Sequence, residues 1–97
     1  MSMSPHEYGW KLLRETVNTM AVMDGPLDGR LVIALQELSL VEEANLPVES
    51  WRAVQAIVKA GKGDFEATVH AMDEGQREDL AQKIFDCFLV LAKTMNN

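Results

Sequence analysis

Cysteine, basic residues, aromatic rings and long apolar runs are all in short supply in this 97-residue chain. One cysteine, Cys87, excludes an intrachain disulfide. Cys87 also sits inside the most apolar stretch, with no Lys, Arg or His within three residues to lower its pKa, so it reads as a small hydrophobe. Nine lysines and arginines stand against fifteen acids, a formal charge of -6, which argues against direct nucleic-acid binding because affinity for phosphate backbones comes mainly from Lys and Arg. No apolar run approaches the roughly 20 residues that cross a bilayer. The opening Met1-Ser2-Met3-Ser4-Pro5-His6-Glu7 carries neither the basic region nor the apolar stretch of a signal peptide, and the expected location is the cytoplasm.

What the chain does have is apolar content of 47% with 25% charged residues, the composition of an ordinary folded domain. Its length fits one domain with a modest core. Two segments are more apolar than an amphipathic helix requires. Leu31-Val32-Ile33-Ala34-Leu35 is one; Ile84-Phe85-Asp86-Cys87-Phe88-Leu89-Val90-Leu91-Ala92 is the other, broken only by Asp86. A helix that is hydrophobic around nearly its whole circumference must be surrounded, and a small domain has few elements with which to cover two. Self-association is the direct consequence.

Helical signals punctuate the chain. Ser4-Pro5-x-Glu7 combines an N-cap serine, a proline at the first helical position and a glutamate three residues after the cap. Trp10, Leu13, Val17 and Met20 then form a stripe, and Asp24-Gly25-Pro26 closes the first helix. A second helix is predicted from Pro26 to about Ala44, where Asn45-Leu46-Pro47 breaks it. A third carries Val48, Trp51, Val54, Ile57 and Val58 inward and stops at Gly61 as a glycine C-cap, with Lys59 and Lys62 complementing its negative end. Asp64 caps a short fourth helix through Phe65, Val69 and Met72. Asp73 and Gln76 form another capping pair, with Gly75 predicting a bend before a last helix over about Gln76 to Lys93 and a fraying Asn96-Asn97. That helix places Leu80, Ile84, Cys87 and Leu91 on one stripe, with Ala81, Phe85, Phe88, Ala92 and Met95 beside it. No strand alternation appears. The fold class is therefore all-α, a small bundle of four main helices and one short helix with mostly antiparallel neighbours, the 84 to 92 segment being central or at a dimer seam.

Motifs that carry chemistry are few. Glu66-x-x-x-His70-x-x-Asp73 sets carboxylates and an imidazole at helical spacing, the one constellation that suggests a divalent metal or enzymatic site, but no second histidine pairs with it. Gly61-Lys62-Gly63-Asp64 lacks the spacing of a phosphate loop and puts an acid where an anion would bind. Asp24-Gly25-Pro26-Leu27-Asp28-Gly29 lacks the alternating oxygen ligands of a calcium loop. Ser39 and Ser50 have no evident activating partner. No cofactor and no catalytic residue are indicated.

Acids are unevenly spread. Asp24, Asp28, Glu37, Glu42, Glu43 and Glu49 face only Arg30 between residues 21 and 50, and residues 64 to 79 repeat that imbalance around Arg77. Arg52, Lys59 and Lys62 lie between, with no acid. The leading expectation is a non-enzymatic helical protein-protein interaction module, a homodimer or the companion of a protein partner. Its interface candidates are Tyr8, Phe85, Asp86, Phe88, Leu89, Glu42 and Glu43. Asp86 either marks an exposed strip paired loosely with Lys83 or makes a register-setting contact in an assembly. The alternative expectation is an acidic inhibitor or adaptor that covers a basic surface of another macromolecule, such as one that holds nucleic acid.

Overall fold

A computed structural model describes residues 4–22, 25–61 and 63–95. The expectations placed on Met1, Met3, Asp24, Lys62 and Asn96-Asn97, and on the Met95 side chain, lie outside what is described. The protein is all-α, 84% helical, with five α-helices and no strand among the described residues. They are α1 (Pro5–Val22), α2 (Leu27–Leu38), α3 (Val48–Ala60), α4 (Phe65–Ala71) and α5 (Glu74–Met95), with a 3-10 turn at Glu43–Asn45 between α2 and α3.

The caps explain most of the boundaries. Ser4 Oγ accepts the Glu7 amide at 3.2 Å and Asp64 Oδ1 accepts the Ala67 amide at 3.0 Å, each satisfying a donor that the first helical turn leaves free. Asp73 and Gln76 exchange side chain–backbone bonds at 2.8 and 2.9 Å, a reciprocal capping box. The chain breaks at Met72, whose extended backbone separates α4 from α5. Gly75 therefore lies in the first turn of α5, and the bend expected there is displaced to Met72-Asp73.

Two expectations need correction. The second helix ends at Leu38, not near Ala44. Past Leu38 the amides of Leu40 and Val41 turn back to the Glu37 and Leu38 carbonyls, and Ser39 Oγ donates to the Gln36 carbonyl at 2.6 Å. Asn45 Oδ1 accepts the Glu42 amide at 2.8 Å, so local side chain–backbone bonds compete with the helix and win. Gly61 is the C-cap of α3 as expected, in right-handed geometry with φ -77°. The left-handed residue is Gly63 at φ 78°, which turns the chain into Asp64. Val48, expected inward, is exposed because α3 enters through Pro47 with that first residue outside the core stripe.

α2 rather than the 84 to 92 segment is the centre of the bundle. It touches α1, α3, α4 and α5, and its Leu31, Ala34, Leu35 and Leu38 are sealed from solvent. Leu13 of α1, Val54 of α3, Val69 of α4 and Ile84 and Leu91 of α5 close on it. α1 lies directly on the 3-10 turn, where Gly9 faces the Asn45 carbonyl and Asn45 Nδ2 donates to the Pro5 carbonyl at 3.2 Å. Arginines finish two helix ends: Arg30 Nη1 donates to the Met20 carbonyl at 2.7 Å, and Arg77 donates to the Val69 and His70 carbonyls at 3.1 and 3.2 Å.

Candidate interaction surface

The inner stripe of α5 is the predicted one: Leu80, Ile84, Cys87 and Leu91 are all buried. On one flank Phe88 stacks on Trp10 of α1 with ring centroids 5.0 Å apart and planes at 26°, an offset arrangement that the ring quadrupoles favour. Both rings are half-buried, as is Phe85. The remaining arc is uncovered, leaving Leu89 61% and Val90 40% exposed. The apolar circumference of this helix thus exceeds what one chain covers.

Beside that arc, α3 and α5 frame an open groove of about 480 Å³. Ala53, Ala56 and Ala60 form the α3 wall, at three- and four-residue spacing that puts them on one helical face. Ile57, Leu80 and Cys87 line it more deeply, being buried, and Val90 joins them from α5. Asp79, Lys83 and Asp86 add charge from exposed positions along α5. The alanine wall was missed from the sequence. Alanine carries little hydrophobic weight in a stripe, so Ala53-x-x-Ala56-x-x-x-Ala60 was the only available signal.

Asp86 is exposed, as its strip reading requires. Its partner is not Lys83, however: Gln82 Nε2 donates to Asp86 Oδ1 at 2.9 Å along one turn of helix. The adjacent Cys87 is 4% exposed, and its thiol is pushed up to about 11, first by burial and then by the Asp86 carboxylate. A thiol in that state is a poor nucleophile at neutral pH. Alkylation by iodoacetamide at pH 8 is therefore expected to be at least about tenfold slower in the native protein than in denaturant, since only the thiolate reacts. Equal rates would show that the groove does not bury Cys87.

The other candidates separate from this face. Tyr8 is 41% exposed on α1. Glu42 and Glu43 are exposed at the 3-10 turn, which packs on α1 and α3. His70 lies 3.9 Å from Glu66, as the spacing implies, and 3.5 Å from Asp28 of α2, a neighbour that the sequence alone does not reveal. Asp73 serves the α5 cap instead of completing that group. Among the described residues no set of three His, Cys, Asp or Glu side chains is arranged to hold a metal ion. At the Gly61–Asp64 turn the Asp64 carboxylate already takes the Ala67 amide that an anion would need.

No helix is long and apolar enough to cross a membrane among the described residues. Comparison with family models, with curated proteins and with solved structures finds no match to this chain.

Proposed function

We propose that this protein is a non-enzymatic helical interaction module whose contact face is the uncovered arc of α5 together with the α3/α5 groove. The observation that carries this reading is the exposure of Leu89 and Val90 alongside that groove, apolar surface left over after α1 and α3 have packed on α5. Large apolar side chains left in water beside an apolar groove mark contact sites, and a mixture of apolar and charged groups is the usual composition of a protein-protein interface. The partner is accordingly a protein helix, in a homo-oligomer or a complex with another chain. A cytoplasmic setting belongs to the same proposal, since a lone buried free thiol suits a reducing compartment.

A photo-crosslinking amino acid placed at Leu89 in expressing cells tests the module directly. Discrete protein adducts, identifiable by mass and suppressed by Val90→Glu, are expected from that position and not from Glu66, exposed on α4. No adduct from Leu89, or the same adducts from both positions, would overturn the reading.

A further inference from the structure

We propose that the α3/α5 groove receives an amphipathic helix of a different protein, one whose edge facing α5 carries two basic residues one heptad apart with an acid between them. This inference rests on the interaction-module reading and specifies the partner of its groove. The length of the groove sets the first requirement. Ala53 and Ala60 are the first and last α3 residues that line it, and Asp79 and Asp86 on α5 are likewise seven residues apart, a span of roughly 10.5 Å. That is the reach of an amphipathic helix held by apolar anchors at i, i+3 or i+4, and i+7. Only alanine methyls separate such anchors from the α3 backbone, with Ile57, Leu80 and Cys87 beneath them.

Charge sets the second requirement. Asp79, Lys83 and Asp86 all line the groove and are all exposed, at four- and three-residue spacing that keeps them along one side of α5. Among the described residues none of the three is in an ion pair, and the side-chain partner of Asp86 is the neutral Gln82 amide. The α3 residues lining the groove, Ala53, Ala56, Ile57 and Ala60, carry no charge. The electrostatic pattern therefore comes from α5 alone and reads acid, base, acid. Charges at heptad spacing beside an apolar seam set partner choice between helices, and the complement of this row is base, acid, base.

This chain does not offer that complement on one helix. Arg52 and Lys59 are its only lysine or arginine residues seven apart, and no acid lies between them. His70 and Arg77 bracket Asp73 at the right spacing, but the extended backbone at Met72 divides them between α4 and α5. The occupant is accordingly a different protein. Leu89 lies around α5 from Lys83 and Val90, so a contact made through Leu89 leaves the groove free. The overall charge of -6 adds long-range attraction for a helix whose edge is net positive.

Fluorescence anisotropy of labelled synthetic helices against the purified full chain tests this. Three peptides share leucine anchors at i, i+4 and i+7 and differ only along one edge, which reads base, acid, base in the first, acid, base, acid in the second and serine throughout in the third. The first should bind about tenfold or more tighter than the second, with the serine peptide between them and the gap narrowing from about 20 to 300 mM salt. The triple variant Asp79→Lys, Lys83→Asp, Asp86→Lys reverses the row at exposed positions and should invert the order. Ala56→Trp fills the groove from another exposed position and should weaken all three peptides, with circular dichroism confirming that both variants fold. Equal binding of the peptides by the wild type, no binding up to about 500 µM protein, an order that survives the reversal, or indifference to Ala56→Trp would overturn the proposal. Leu89 adducts in cells without selection among the peptides would remove the charged helix and leave the interaction module standing. Selection without Leu89 adducts would keep the groove and remove the exposed arc from the contact face; absence of both fails both.

Discussion

Gly9→Ala is expected to destabilise the protein by about 2 to 3 kcal/mol, a sign opposite to that of helix propensity, which favours alanine by about 1 kcal/mol in a helix interior. A Cβ at Gly9 would run into the Asn45 carbonyl, its carbonyl carbon and a methyl of Leu46, closer than real Cβ atoms approach. The obstacle is backbone, so no rotamer change removes it. Relief requires α1 to move off the 3-10 turn, which would stretch the Asn45–Pro5 bond and open the site that buries Leu46. Gly29, in α2, provides the control: nothing lies within 4 Å of a Cβ there, and Gly29→Ala is expected to stabilise by about 0.5 to 1 kcal/mol. Thermal or urea unfolding monitored by circular dichroism checks both. Two substitutions of the same chemistry moving in the same direction would contradict the close α1–turn contact.

A second large effect distinguishes the two roles of α5. Leu91→Ala should cost about 3 kcal/mol, because Leu91 is fully buried and its removal leaves a cavity among Leu, Ile and Val side chains. For a domain of this size that loss corresponds to a fall in Tm of roughly 12 to 24 °C. Leu89→Ala, two residues away, should change the stability of the monomer by less than about 0.5 kcal/mol, since the side chain is largely in water already. Measured at low protein concentration, the pair separates residues that hold the fold from residues that the fold leaves available. Comparable losses at both positions would mean that α5 is rotated from the orientation described.

The pattern of success and failure in the sequence reading follows the range of the forces involved. Ser4, Asp64 and the Asp73–Gln76 pair were legible because a cap is a contact three residues long. The Leu80, Ile84, Cys87 and Leu91 stripe was legible because one face of one helix suffices to define it. The end of α2 was not, since Leu40, Val41 and Ala44 keep helical spacing and only the Asn45 contact with α1 shows why the chain turns there. At the end of α3 the cap itself was legible, since Gly61 ends the helix as the sequence marks it. The left-handed residue that follows, Gly63, was not, because a conformation carries no mark in the sequence. The groove was hardest to foresee, because one wall is alanine and the groove exists only once α3 and α5 are adjacent.

That apolar excess on α5 was legible early, and its consequence can be measured in one step. A native mass spectrum of freshly purified protein at tens of micromolar should show a species at twice the 10.8 kDa chain mass, lost in Leu89→Glu. A spectrum holding only the monomer, with no added mass and no difference between wild type and Leu89→Glu, would contradict self-association through the α5 face.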